Sequence, residues 1–373
     1  MTDRPSRRSF LVTVGAVTLA GCSSLVGGGS ESVSRGEVSN VTVVGGEKPP
    51  NEPANAPPVS DRTLPVPVPL EELQSHAQDG GPPKDGIPSI DEPKFVSPGE
   101  VSGLADGSTV LAVTGPEPKA YPRRILVHHE IVNDEIDGTP VSVTYCPLTG
   151  TAQGFDRGET EFGVSGQLIN NNLVMYDREL ERWWPQIPAV SIPGPWHDTA
   201  GGVTLREFEV VRTTWGQWRS AYPETAVLST DTGSARNYNR DPYGSRGYYE
   251  SDETIFPNIY TDAEDQFHAK EWFYGARTAE GAAAFRRQRL HDEGVVRGSI
   301  GDRPVVAVHD PELDTAYVYR NPGEVSLDHE GDGVVTGDGE RFAPDELPLD
   351  RIISFDAYWF AWFAYYPNTE VYA

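Results

Sequence analysis

Two reactive side-chain types meet within one short stretch of the chain. Cys146 closes the apolar run Val141-Ser142-Val143-Thr144-Tyr145, and His128-His129 leads into Ile131-Val132. Asp137-Gly138 lies between the two runs. Such a pair suits a two-residue hairpin turn with positive φ at both positions. In that register Ile136 faces Thr139, Cys146 lies opposite His129, and Pro147 lies opposite His128. Directly opposed side chains have Cβ atoms about 5 Å apart. A three-residue loop instead sets Cys146 against Glu130. An imidazole beside a thiol stabilises the thiolate and makes it nucleophilic. One expected chemistry is therefore a Cys146 nucleophile with His129 as base and Glu130 or Asp134 orienting the ring. Alternatively, Cys146, His129 and His128 supply soft ligands for copper or zinc. Adjacent strand residues face opposite sides, so both histidines reach one metal only if the strand bulges. A third reading leaves a buried, inert thiol and a hydrogen-bonded histidine.

The elements that must position these residues recur. A shift of 164 residues aligns 120–155 with 284–319 without a gap, and ten of the 36 positions are identical, including Arg123/Arg287, Pro140/Pro304 and Thr151/Thr315. A fixed spacing of this kind implies repeated supersecondary units. The halves span about 107–157 and 271–321, and each reads as helical turn, strand, tight turn, strand. Their turns are Asp137-Gly138 and Gly301-Asp302. The second half has Glu293 and Asp310 at the positions of His129 and Cys146, so the scaffold itself needs neither imidazole nor thiol there. Residues 156–283 read as an insertion between the halves. Short apolar runs predict strands at 110–113, 141–145, 173–176, 203–211, 305–308 and 316–319. Helices are predicted over 214–222, 278–290 and 357–366. The last is apolar all round and too short to span a bilayer, which predicts a buried core helix. The expected fold is mainly β (α+β), one domain over 83–373 with a duplicated hairpin unit and a few helices, carried on a disordered N-terminal stalk.

The chain has 373 residues, 56 Asp and Glu against 30 Lys and Arg, and a net charge of −26. That acidity counts against nucleic acid as a partner, because a polyanion needs a positive face. Two cysteines exclude a disulfide scaffold. Of the 30 basic residues 25 are Arg and five are Lys. An acidic, Lys-poor surface suits molar salt, where the Debye length is only about 3 Å and like charges are screened. This points to a salt-loving archaeon. At the N-terminus, Ser6-Arg7-Arg8-Ser9-Phe10-Leu11 is a twin-arginine export pattern, and the apolar run 10–20 follows it. The run ends in Leu19-Ala20-Gly21-Cys22, which looks like a lipoprotein box. Residues 1–21 are expected to be a cleaved signal and Cys22 the lipidated first residue. The lipid would hold the protein on the extracytoplasmic face of the membrane. Residues 22–82, rich in Gly and Ser and then in Pro, are expected to be a disordered tether. Asn40-Val41-Thr42 is a glycosylation sequon on it.

Weaker pocket candidates are His268 and Lys270, in His268-Ala269-Lys270-Glu271-Trp272, and the triplet Asn170-Asn171-Asn172. The tyrosine-rich stretch 237–260 is long enough to form a binding surface. Several motifs occur in an order that resembles the domain-of-unknown-function family 3179. They include Asp85-Gly86-Ile87-Pro88-Ser89-Ile90, Ala120-Tyr121-Pro122, His129-Glu130-Ile131-Val132-Asn133-Asp134, Tyr145-Cys146-Pro147-Leu148-Thr149-Gly150-Thr151, Arg240-Asp241-Pro242-Tyr243-Gly244 and Trp359-Phe360-Ala361-Trp362. The resemblance covers about 84–373. It implies an exported or anchored protein and no particular activity. Many members have a second Cys where this chain has Thr149, a departure that argues against a dithiol cycle here and leaves a one-thiol site or a lost one. Three functions follow as expectations: a binding module for a metal or small ligand near Cys146 and His129, a single-cysteine enzyme, or a structural or partner-binding surface lipoprotein.

Overall fold

The computed structural model describes residues 42–46, 52–197, 201–261 and 266–373. The expected signal with Arg7 and Arg8, the lipidation residue Cys22 and the sequon Asn40 lie outside the described residues. The fold is mainly β, with five short helices and eight small sheets among the described residues. The repeat is realised element by element. Strands Ile131–Ile136, Thr139–Cys146 and Thr151–Asp156 recur 164 residues on as Val295–Ile300, Arg303–Asp310 and Thr315–Arg320. Each set follows a short helix, Arg123–Leu126 or Arg287–Glu293. The turns obey the sequence: Asp137 and Gly138 have φ of 49° and 75°, and Gly301 has φ of 55°. Pairing runs from Ile136 with Thr139 in the first copy and from Ile300 with Arg303 in the second.

A second arm of the duplication escapes a fixed-offset search. Glu207–Phe208, Val211–Thr214, helix Trp215–Ala221 and Ala226–Leu228 recur as Arg351–Ile352, Ser354–Tyr358, helix Trp359–Tyr365 and Glu370–Tyr372. The offset here is 144 residues, as between Trp215 and Trp359, Trp218 and Trp362, or Pro223 and Pro367. It shortens because the first copy makes a longer excursion, building the sheet Phe162–Ile169, Asn172–Asp177, Trp183–Pro185. Each helix is tied down by the same bond: Trp218 Nε1 donates to Thr225 Oγ1 at 2.9 Å, and Trp362 Nε1 to Thr369 Oγ1 at 2.9 Å. The parallel pairing of Ala226 with Lys119 recurs as Glu370 with Ala283. Residues 156–283 are therefore not one insertion. The copies run about 109–228 and 272–372, joined by the connector 229–271.

Two expectations need correction. Residues 278–290 are not a single helix: Gly281–Arg286 is a strand, and the helix begins at Arg287. The run Ala282-Ala283-Ala284 has high helix propensity, but tertiary packing overrides propensity. Ala282 and Ala284 lie in the same core cluster as Trp359 and Trp362, where small residues leave room for the indoles. The described residues between 42 and 82 are also not a disordered tether. Thr42–Gly45 pairs with Thr63–Val66, Val59–Ser60 pairs with Thr204–Leu205, and Leu70–Ser75 is helical. Leu64, Val66 and Leu73 are buried, and Glu52 makes a buried ion pair with Arg182 at 2.5 Å. Prolines lowered the apparent folding power of this stretch while its few apolar residues were spaced to pack. Helix Trp359–Tyr365 is buried at every position, as its all-round apolar face predicted. No helix of the described residues is long and apolar enough to cross a membrane.

Candidate functional site

The backbone at residue 130 takes a conformation that favours glycine. Glu130 has φ of 60°, and the matching residue of the second copy is Gly294, with φ of 73°. A bulky L-residue in this region costs about 1–3 kcal/mol and persists where the surroundings impose it. Glu130 N donates to Leu126 O at 2.8 Å, closing the short helix, and Tyr145 N donates to Glu130 O at 2.7 Å, opening the hairpin. The left-handed residue turns the chain between His129 and the strand. It is consequently the Glu130 carboxyl that faces the thiol. Cys146 is 1 % exposed and its Sγ lies 3.5 Å from Asn171 O. Burial pushes the thiol up to about 11, the Glu130 carboxyl adds to the rise, and hydrogen bonds from Thr149 oppose it. Burial pushes Glu130 itself up to about 8. Among the described residues no hydrogen bond reaches its carboxyl, although the residue is only 5 % exposed. Both groups thus hold protons near neutral pH.

The predicted register is present, but His129 does not reach Cys146. Its Nδ1 lies 2.7 Å from Pro88 O and its Nε2 lies 2.7 Å from the Tyr238 hydroxyl. Burial pulls its pKa down, so the ring is neutral. A carbonyl can only accept, so Nδ1 carries the proton and Nε2 accepts from Tyr238, which in turn accepts from Thr232 at 2.6 Å. His128 Nε2 bonds Arg240 O at 2.9 Å. Neither histidine can serve as base for the sulfur or share a metal with it. Asp134 lies at the hairpin's other end, paired with Lys119 and accepting from Tyr121 at 2.6 Å. His268 sits 3.3 Å from Asp252. Lys270 is buried, donates to the carbonyls of Ser251 and Glu253, and lies 4.1 Å from the Tyr248 ring centre. It clamps the connector. No group of three or more His, Cys, Asp or Glu converges among the described residues, so copper or zinc finds no ligand set there.

The connector forms the roof. Asn170 and Asn171 take φ of 52° and 59°, which asparagine tolerates. That geometry aims two of three consecutive amides at the connector and the third at Gln186. Asn170 Oδ1 accepts from Ile259 N at 2.8 Å, Asn171 Oδ1 accepts from Phe256 N at 2.9 Å, and Asn172 Nδ2 donates to Gln186 Oε1 at 2.9 Å. Tyr248 donates to Leu148 O at 2.8 Å. Burial raises the Tyr243 and Tyr248 hydroxyls, and Cys146, once ionised, would raise both further, as would an ionised Glu130 at Tyr243. Tyr249, half-buried, accepts from Arg123 Nη1 at 3.0 Å, and Asp241 pairs with the same nitrogen at 3.0 Å.

The family model described as "Protein of unknown function (DUF3179)" matches residues 84–369. The chain belongs to the DUF3179 family. No curated protein and no solved structure matches it. The DUF3179 match takes in nearly all of both copies and the whole connector, and leaves out the strands before residue 84. The thiol, the buried carboxyl and the tyrosine roof all fall inside it.

Within this DUF3179 frame the second copy closes the site. A side chain on Gly150, just past Cys146, would meet Trp272 Cη2 at 2.6 Å and Tyr358 Cζ at 3.1 Å. Tyr358 N donates to Thr149 O at 3.0 Å, and the rings of Tyr358 and Trp272 lie 4.4 Å apart. Beyond Trp272 opens a cavity of about 360 Å³ lined by Glu271, Trp272, Arg287, Gln288, His291 and Asp314. Sequence reading missed Arg123, Trp272, Arg287 and Tyr358. The identity of Arg123 and Arg287 across the repeat was the available signal.

Proposed function

We propose that the chain is a lipid-anchored, extracytoplasmic binding protein whose small-molecule site lies between the two copies, with Cys146 and Glu130 at its inner end. The export pattern and Leu19-Ala20-Gly21-Cys22 support the anchor. One observation carries the binding reading. The first copy places a buried, unpartnered carboxyl in a left-handed backbone beside a buried thiol, where the second copy has Gly294 and Asp310. A scaffold that needed only its fold would have no use for either group. The protonated Glu130 carboxyl is a free hydrogen-bond donor, while the thiol already donates to Asn171 O and lends polarizable bulk beside it, which suits an uncharged polar end of a ligand. The nucleophile reading gains nothing from this geometry, since the thiol is pushed up and the imidazole is engaged elsewhere. Nor does a metal centre.

Native mass spectrometry of the full chain, extracted from membranes without chelator, tests the proposal. The expected spectrum shows a chain beginning at a lipid-modified Cys22 and carrying a small organic adduct. The adduct should be lost in Glu130→Ala and in Cys146→Ala. An unmodified start overturns the anchor, and a bare chain in the wild type overturns the binding site.

A further inference from the structure

Arg212 occupies the position in the first copy that Asp356 occupies in the second, on strands Val211–Thr214 and Ser354–Tyr358. In the second copy Asp356 helps neutralise Arg287, with Nη1 to Oδ1 at 3.4 Å, and Asp314 completes the pairing at 2.6 Å. The equivalent of Arg287 is Arg123, which Asp241 of the connector already neutralises. The exchange of Asp for Arg therefore adds a cation to the first copy's side of the junction. That cation is left over. Its guanidinium stacks on Trp272, 4.0 Å from the ring centre, and its Nε is buried without a partner. Among the described residues no carboxylate forms an ion pair with it. The residue is partly exposed, so the outer edge of the fork stays open to solvent. Its charge acts on the hydroxyls of Tyr145 and Tyr358 and, without an ion-pair contact, on the Asp356 carboxyl that Arg287 already pairs. The same Trp272 walls the 360 Å³ cavity.

We infer that Arg212 is the anchor of a carboxylate subsite, at which a small organic acid binds edge-on to the guanidinium held flat on Trp272. This rests on the binding reading above and gives the ligand's outer end its chemistry. A planar fork with two N–H groups on one edge matches the two oxygens of a carboxylate. Stacking on the indole fixes the plane of the fork beforehand. The single guanidinium charge suits one carboxylate group, and the nearby Asp314 and Asp356 disfavour the two charges that phosphate concentrates on one centre, whereas succinate carries its second charge at its far end. In a chain of net charge −26, a guanidinium that makes no ion pair and lies flat on an indole is a place where an anion is drawn in against the general field.

Titration calorimetry of the full chain with succinate, phosphate and chloride tests this. Succinate is expected to bind, and Arg212→Asp, which gives the first copy the residue of the second, should abolish binding. Arg212→Lys keeps the charge but not the fork and should weaken succinate about tenfold. Its unchanged thermal midpoint would show that the fold is intact. Equal succinate affinity in wild type and Arg212→Lys overturns the inference, as does phosphate or chloride binding as tight as succinate. Absence of succinate binding in the wild type overturns it too. Succinate binding by a wild type that carries no native adduct, lost in Arg212→Asp, would overturn the Cys146–Glu130 end and leave this subsite standing, so the two failures are separable.

Discussion

In the second copy the hairpin ends on Asp310, whose Oδ1 accepts from the amides of Glu312 at 2.9 Å and Leu313 at 3.3 Å. That is ordinary turn chemistry. In the first copy the same place holds Cys146, whose sulfur takes hydrogen bonds from Thr149, three residues on as Leu313 is from Asp310, but also faces the Glu130 carboxyl. Both residue types accept within the turn, on backbones that agree strand for strand, and only the thiol is set beside a buried carboxyl. The same contrast recurs at Gly294 against Glu130 and at Asp356 against Arg212. The second copy carries residues that suit the frame, and the first carries residues that the frame tolerates. Duplication gives a control within the molecule, and the comparison can be broken at each of these positions.

The largest effect should come from the tryptophans that both copies share. Trp218 and Trp362 are fully buried and make the same bond to a threonine. Truncation of either to Ala should cost about 3–5 kcal/mol in equilibrium denaturation. Trp362→Ala should cost the more. A side chain on Gly275 would meet Trp362 at 2.0 Å, so the indole fills space left by that glycine, and its helix is buried all round. Helix Trp215–Ala221 buries only Trp215 and Trp218. A larger loss in Trp218→Ala would mean that the first copy, not the second, dominates stability.

Next in size is the pH dependence conferred by Glu130. Its ordinary value is 4.5, and burial raises it to about 8 in the folded chain. The folded state then keeps a proton that the unfolded state has lost, so stability falls as pH rises between these values and is flat above. The slope from this one group approaches about 1.4 kcal/mol per pH unit at its steepest. Subtracting the curve for Glu130→Gln from that of wild type isolates it. A difference that stays constant from pH 4.5 to 8 would show that the carboxyl is not desolvated.

A smaller and opposite pair of effects concerns the backbone at that site. Glu130→Gly should stabilise by about 1–3 kcal/mol at pH 8, because strain and a desolvated carboxyl both disappear. Gly294→Ala should destabilise by a similar amount, about 1–3 kcal/mol. Its φ of 73° disfavours a side chain, and the new Cβ would meet His329 Cγ at 2.4 Å. Denaturation midpoints read both. If the two changes have the same sign, residue 130 is held by the fold and not by its chemistry.

These positions also mark how far sequence reaches. The hairpin register was legible because Asp137-Gly138 restricts the turn, and the first arm of the repeat because its spacing is constant. The contact at the end of the hairpin was not, because one left-handed residue between His129 and Ile131 exchanges which side chain faces the sulfur. No propensity announces positive φ at a glutamate. The alignment of Glu130 with Gly294 does, once the repeat is taken as a statement about backbone angles. The second arm was hidden by the change of offset from 164 to 144, although Trp215, Trp218, Tyr222, Pro223 and Thr225 all recur. Strand Gly281–Arg286 was hidden because its alanines answer to the indoles packed on them and not to local preference.

The smallest effect expected is also the sharpest probe of the thiol's neighbour. With its pKa at about 11 and 1 % exposure, Cys146 should label far more slowly with iodoacetamide than an unfolded chain does at pH 8. Glu130 sharpens this, because its repulsion acts only once it is ionised. Below about pH 7 the carboxyl is protonated, and Glu130→Gln should label at the wild-type rate. Above its value of about 8 the wild-type carboxylate holds back thiolate formation, and the variant should pull ahead by about two- to fivefold near pH 9.5. Local opening alone would raise both rates together, since it exposes the sulfur without regard to the charge beside it. A rate ratio that grows with pH therefore reports the carboxyl–thiol contact itself, whereas a ratio fixed at all pH values would remove Glu130 from the sulfur's surroundings. The second copy offers no such coupling, because Gly294 has no charge to place beside Asp310.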